Sequence, residues 1–228
     1  MAEEKNVYLY KNPNDYNVLV KKTIPHYEIM LNMIVDGIPL AKDESMLGLD
    51  IGCGTGNVSR MLLQSFPHLR MDCIDFSPEM LQVLSKNLSE FDGRYSVSVR
   101  DIRKFRITQS YDLVVSNLSI HHIENLNNKR QFFAQVFGSL PSGGIFVFGD
   151  LFCGSSPYIQ QLYVDNWKAF QVSQGREQSE VDRHFERMKD VDFPSPLYPQ
   201  LKILQEIGFL DIDCLFKWYG FGVVACRK

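Results

Sequence analysis

Short apolar runs alternate with longer stretches of helical period along this chain, with no internal repeat and no long linker. That alternation predicts an α/β fold around a mostly parallel sheet. The first forty residues read as helical. Asn14 is placed to cap a helix beginning at Asp15. Pro25 breaks that helix and offers the first residue of another, whose apolar stripe is Ile29, Met33 and Ile34 and whose end is marked by Gly37 and Pro39. MLGLDIG, residues 46–52, is apolar enough for a strand buried on both faces. A glycine loop follows, then a helix carrying Val58, Met61 and Leu62. The second strand is RMDCIDF, ending at Asp75; Ser77 then offers an N-cap, with Pro78 at the first helical position and Glu79 near the positive helix end.

The third strand is YSVSVRD, ending at Asp101, and the fourth is YDLVVSNL, residues 111–118. A helix from Asn127 to Leu140, the turn Pro141-Ser142-Gly143-Gly144 and a fifth strand over 144–152 come next. Residues 155–190 keep a helical period but turn rich in Gln, Asp, Glu and Arg, as an insertion or lid would. A helix at 198–207 ends at Gly208. LDIDCLFKW and GFGVVACRK close the chain as two strands around Tyr219-Gly220, a separation short enough to predict antiparallel pairing. The count is seven strands. We divide one domain into a helical cap (1–44), a core (45–152), a helical lid (153–195) and a last helix with terminal hairpin (196–228).

Composition narrows the classes. With 228 residues, 45% hydrophobic and 22% charged, the chain has a globular make-up rather than a disordered or fibrous one. A net charge of -3 argues against an obligate non-specific nucleic-acid binder. No run of 18 apolar residues predicts a membrane span, and the N-terminus lacks the basic-then-apolar pattern of a secretory signal. Five cysteines, at 53, 73, 153, 214 and 226, are an odd number without CxxC spacing. Neither a metal site nor a disulfide framework is expected, and a reducing cytoplasm fits.

The chemistry concentrates in Asp50-Ile51-Gly52-Cys53-Gly54-Thr55-Gly56, between a predicted strand and a predicted helix. Alternating glycines let the backbone turn sharply and approach a ligand closely. The spacing is G-x-G-x-G, neither the G-x-G-x-x-G of a dinucleotide site nor a Walker loop, so a NAD-dependent oxidoreductase is a poor reading. Asp50 would repel a phosphate and attract an ammonium. Asp75, 19 positions after Gly56 at the end of the second strand, suits two ribose hydroxyls. The ligand so described is a nucleoside with a cationic amino-acid tail, as S-adenosylmethionine (SAM) is. Asp101-Ile102 and Ser116-Asn117 end the next two strands on the same side, the former where an acid and an amide could read an adenine edge. Each taken alone also fits a turn cap or loop satisfaction.

LDIGCGTGN, CIDFSPEML, RDIRKF, YDLVVSNLSIHHI and LPSGGIFVFGDL together resemble the class I SAM-dependent methyltransferases, from about residue 45 to 152. The resemblance implies a Rossmann-like seven-stranded, mostly parallel sheet with an antiparallel last strand, helices on both faces and a helical lid. It implies SAM as cofactor and S-adenosylhomocysteine as product. Gly52, Gly54 and Gly56, with Cys53 in the same loop, would border the methionine part, and Asp50 its ammonium. Asp75 would bind the ribose, Phe76 and Met80 would flank the adenine, Asp101 and Ile102 would take its edge, and Ser116 and Asn117 would lie near the sulfonium. KKTIPHYEIMLNMI, the long helical stretch and the ending FKWYGFGVVACRK also resemble a branch that includes the wobble-uridine tRNA methyltransferases using carboxy-SAM. That branch reads the extra carboxylate with an arginine; here Phe185 takes its place between Arg183 and Arg187, which implies plain SAM.

On the acceptor side, His121 and His122 follow the fourth strand, and either suits a general base near neutral pH; a capping or wall-packing role is the alternative. Asp150 either contacts substrate or bonds loop amides. Tyr8, Tyr10, Tyr16 and Tyr27 crowd the N-terminal segment, which in the resembling family folds over the cofactor; packing of an amphipathic helix is the plainer reading. Tyr158, Tyr163 and Trp167 could line an acceptor pocket, though such a stripe also suits a core or an oligomer contact. Arg100, Arg103, Lys104 and Arg106 form the densest basic cluster, read as a solvated run or as a contact to an anionic acceptor. The expected partner is a small-molecule acceptor, without a membrane; tRNA, a homodimer and a catalytically silent SAM-binding protein are the alternatives.

Overall fold

The computed structural model describes residues 13–39, 43 and 45–228, apart from the side chain of Asn14. Its strands are β1 (Met46–Ile51), β2 (Leu69–Asp75), β3 (Tyr95–Val99), β4 (Leu113–Asn117), β5 (Ile145–Leu151), β6 (Leu210–Trp218) and β7 (Phe221–Arg227). Its α-helices are α1 (Tyr16–Thr23), α2 (Tyr27–Asp36), α3 (Asn57–Ser65), α4 (Pro78–Asn87), α5 (Leu126–Ser139), α6 (Pro157–Ser173), α7 (Gln178–Met188) and α8 (Leu197–Ile207). The strands form one sheet in the order β3-β2-β1-β4-β5-β7-β6. The first five pair in parallel, and β7 runs antiparallel to both β5 and β6. The expected seven strands, antiparallel last strand and two helical faces are all present.

The pleat of β5 explains the two-sided core. All seven of its residues are buried. Ile145 and Val147 point into one cluster with Met30 and Ile34 of α2 and Leu62 of α3. Phe146 and Phe148 point the other way, onto Phe133 and Val136 of α5 and Leu204 of α8. Between β1 and β4 the strand order reverses, because the chain runs outward through β2 and β3 and then returns. Such a reversal leaves a crevice at the carboxyl ends of the two strands.

Helix starts follow the local signals where a cap is strong. Ser77 accepts from the Met80 amide at 3.1 Å with Pro78 behind it, as expected. Elsewhere the boundaries move. α5 begins at Leu126, capped by Asn125 rather than starting at Asn127. α2 begins at Tyr27, after His26 at φ 55, not at Pro25. It buries Tyr27, Met30, Leu31 and Ile34 and leaves Ile29 exposed. Packing against α3, β5 and β7 selects a wider face than the three-residue stripe suggested. β3 stops at Val99, so Asp101 stands in the loop beyond it. Tyr8 and Tyr10 lie outside the described residues, as does the side chain proposed to cap α1.

Candidate functional site

The backbone leaves β1 through left-handed conformations at Gly52 (φ 72), Gly54 (φ 53) and Gly56 (φ 84). A Cβ at Gly52 would stand 1.8 Å from the Ser119 hydroxyl oxygen, so β1 and the segment after β4 touch only because that carbon is missing. At Gly54 a Cβ would meet nothing within 4 Å. Gly56 instead packs against Leu84 of α4. Asp75 ties this turn down: one carboxylate oxygen accepts from the Gly54 amide and the other from the Ser77 amide, both at 2.9 Å.

Above the loop lies a cleft enclosing ≈ 1070 Å³, open solvent at its mouth included. It crosses the carboxyl ends of the strands in sheet order. Arg100 and Ile102 follow β3, Asp75 and Phe76 end β2, Gly52 and Gly54 follow β1, Asn117 to Ser119 end β4, and Leu151 and Phe221 stand at β5 and β7. Met80 of α4 lines it, and α1 closes it from above with Tyr16, Val20 and Thr23. An adjoining recess is lined by Asp50, Cys53, Gly54, Tyr27 and Asn57. Asn17 of α1 accepts from Thr55 at 2.8 Å and from Asn57 at 2.9 Å, which holds that helix over the glycine loop.

Two buried oxygens here lack a partner among the described residues: Oδ1 of Asp50 and Oδ1 of Asn117. The other Asp50 oxygen accepts from Ser59 at 2.6 Å. Burial pushes the Asp50 carboxyl up to about 7, against the Ser59 hydrogen bond and with help from Asp75. A buried acceptor left unpaired is costly, and a carboxyl so poised favours a cation. The residues therefore fit a ligand that brings an ammonium to the recess and hydroxyls to Asp75. Cys53 is a buried thiol held well above its usual range by burial, then by Cys73.

Some expected residues lie elsewhere. Ser116 is buried and donates to the Ile51 carbonyl at 2.8 Å, a bond between strands. The Asp101 carboxylate is taken by the Arg103 guanidinium at 2.8 and 2.9 Å and does not line the cleft, whereas its neighbours Arg100 and Ile102 do. Arg103, Lys104 and Arg106 are exposed. Trp167 lines the cleft and donates to the Thr23 carbonyl at 2.6 Å. Tyr158 is 77% exposed and Tyr163 packs against Tyr219, so the expected aromatic stripe contributes one member only.

His121 and His122 both reach the cleft. Nδ1 of His121 stands 2.6 Å from Oδ1 of buried Asp150, which assigns Asp150 to this imidazole rather than to loop amides. Oδ1 of Asp192 approaches both rings, 3.1 Å from Nδ1 of His122 and 3.7 Å from Nε2 of His121. Burial pulls His121 down, but Asp150 and then Asp192 outweigh it and hold the imidazole above its ordinary value. Nearby His184 is pushed down to about 4 by burial and then by Arg176. The loop carrying Asp192 is anchored twice. The Phe193 amide donates to the His121 carbonyl at 2.7 Å. Buried Lys129 of α5 donates to the Phe193 carbonyl at 2.5 Å and to Ser195 at 2.9 Å. Asp192 and His184 belong to no motif, and only the folded chain brings them to the cleft, with Lys129 bracing the loop that carries Asp192.

Residues 49–146 match the family described as a methyltransferase domain. The carboxy-S-adenosyl-L-methionine synthase of Helicobacter hepaticus is 25% identical over 218 residues, covering 93% of this chain and 90% of that protein. The protein of that name from Staphylococcus epidermidis is 27% identical over 225 residues, covering 94% and 93%. A solved structure of Haemonchus contortus phosphoethanolamine N-methyltransferase 2 in complex with SAM gives a TM-score of 0.68 at 17% identity, over 95% of this chain and 56% of that one. Human N-acetylserotonin methyltransferase in complex with SAM gives 0.64 at 15% identity, over 100% and 60%. This chain spans little more than half the length of those two solved chains, and at such identities the likeness shows the fold.

Proposed function

We propose, from the premise that this chain carries the class I SAM-dependent methyltransferase core, that it transfers the methyl group of SAM to a small-molecule acceptor seated on the β5 and β7 side of the cleft. One observation carries the reading. A single cleft joins the glycine loop, where buried Asp50 and Asn117 oxygens await a partner in and beside it, to a wall bearing two imidazoles. Bound SAM supplies a methyl already activated on a sulfonium. In this reading Asp50 and Asn117 take the ammonium, and the Gly52–Gly54 turn admits the methionine chain. Asp75 takes the ribose, and Phe76, Met80 and Ile102 enclose the adenine. Cys53, Gly56 and Ser116 shape that wall from behind. Asp101 reads the adenine only on leaving Arg103. Tyr16 and Trp167 help exclude water, which holds the reacting groups in line.

His121 and His122 promote loss of the acceptor's proton. The acceptor's electron pair forms the bond to the methyl carbon, while the carbon–sulfur bond breaks with its pair on sulfur, leaving S-adenosylhomocysteine. The end-to-end likeness to carboxy-SAM synthases favours a second reading, in which the cleft makes or holds carboxy-SAM. Phe185 supports plain SAM instead. It stands where the branch's arginine is expected and packs on Trp167 at 4.8 Å between ring centroids. Calorimetric titration with SAM and carboxy-SAM decides between them, and we expect tighter binding of SAM. Methyl-labelled SAM incubated with cell extract should then label the small-molecule fraction. Label in tRNA would replace the small-molecule acceptor, and binding without any transfer would mark a silent SAM binder.

A further inference from the structure

We infer that His121, His122 and Asp192 hold a divalent transition-metal ion on the acceptor side of the cleft. The three groups are the set of metal-ligating side chains that converges among the described residues, with ligand atoms all within 4.8 Å of one another. Two of the spacings are 3.1 and 3.7 Å. Atoms bound at about 2.1 Å to one tetrahedral or octahedral ion stand about 3 to 3.5 Å apart, so closure onto an ion asks for shifts of a few tenths of an ångström along these two contacts.

The surroundings of His121 point the same way. Asp150, 1% exposed, lies 2.6 Å from Nδ1. A carboxylate there accepts the hydrogen bond from Nδ1–H and so leaves the Nε2 lone pair on the side of Asp192, the arrangement by which a carboxylate orients a metal-ligating imidazole. Nδ1 of His122 also lies 3.2 Å from the Val191 carbonyl. Without an ion its proton is shared between that carbonyl and Asp192, and ion binding replaces that proton. Lys129 and the Phe193 amide hold the loop so that Asp192 meets the rings.

Two imidazoles and one carboxylate suit zinc or ferrous iron rather than calcium or magnesium, and three ligands leave positions open. Those positions face the cleft, because all three residues line it. An ion there would seat an acceptor through two neighbouring oxygens and lower the pKa of a bound hydroxyl. This use rests on the proposed methyl transfer and specifies how the histidines act; ion binding itself does not depend on it.

The test uses the untagged full chain, stripped with a chelator and titrated with Zn²⁺ by calorimetry and with Co²⁺ by visible absorption. One equivalent should bind, with a cobalt spectrum of nitrogen and oxygen ligation. Asp192→Asn and His122→Ala should each weaken binding by at least about a hundredfold, and Asp150→Asn, which removes only the orienting carboxylate, by about ten- to a hundredfold. His68→Ala, at an exposed histidine, should change nothing. Circular dichroism and melting of each variant report folding, and near-isosteric Asp192→Asn keeps the test decisive should the histidine variant misfold. Absence of a stoichiometric ion overturns the inference, and so does zinc affinity undiminished in folded Asp192→Asn. A separate SAM titration keeps the two readings apart: zinc without SAM binding sinks the methyl-transfer reading alone, and SAM without zinc sinks this one alone.

Discussion

On the β1–β2 side of the cleft, the lining is drawn from residues close in sequence: Gly52, Gly54, Asp75 and Phe76 stand within two strand ends. On the β5–β7 side it is made of long titratable or aromatic side chains from separate segments: His121 and His122 after β4, Trp167 on α6, His184 on α7 and Asp192 beyond it. The first arrangement rests on left-handed backbone and close approach to Ser119, and admits almost no change at its glycines. The second is a set of side chains on loops and lid helices, whose replacement need not disturb the sheet. A fold built this way holds one side of its cleft fixed and leaves the other free to vary.

The sharpest way to break this contrast is Gly52→Ala. Its Cβ would collide with Ser119 at 1.8 Å in a left-handed conformation, and we expect SAM affinity to fall by about a thousandfold or more, by calorimetry, with a lower melting temperature. Next in size is Lys129→Met on the other side, which strands the Phe193 carbonyl and Ser195. It should cost about 1–3 kcal/mol in denaturant unfolding. SAM affinity should hardly move, and a large loss of it would show that the two sides are coupled.

The Asp50 carboxyl gives a smaller, pH-dependent effect. Its folded value of about 7 lies above the ordinary 3.8, so in that window the native free protein holds a proton that the unfolded chain has released. The free protein's stability from this group is therefore full below the lower value and declines as pH rises to the upper one. An ammonium ligand wants the carboxylate, so SAM affinity should rise by up to about tenfold per pH unit approaching 7 and then level off. Asp50→Asn should flatten that profile; an unchanged profile would remove Asp50 from the ammonium site. The smallest effect is expected from Asp101→Ala. With its carboxylate held by Arg103 outside the cleft, SAM affinity should change by less than about threefold, as for other exposed pairs. A loss above tenfold would return Asp101 to the adenine edge.

The glycine-loop side of the cleft was legible because each of its structural features is local. A strand, three alternating glycines, a capped helix and an acid at the next strand end all fall within residues 46–80. Local signals also placed the terminal hairpin and the helix opening at Pro78. They failed where packing chose among equals. α2 carries apolar residues on more than one side, and its burial against α3, β5 and β7 decided that Met30 faces inward and Ile29 outward. α6 likewise shows three aromatics at near-helical spacing, and only its seat on α1 selected Trp167.

The sequence by itself determined the sheet, the left-handed glycine turn and the acid beside it, because these follow from backbone periodicity and steric freedom within a few residues. Tertiary structure decided that Asp101 turns outward to Arg103, that Asp150 belongs to His121, and that Asp192 closes on the histidine pair. Asp192 is 71 residues from His121 along the chain, and no period links them. Their meeting depends on a loop pinned by a buried lysine and one backbone amide, which exist as contacts only once both faces of the sheet are packed.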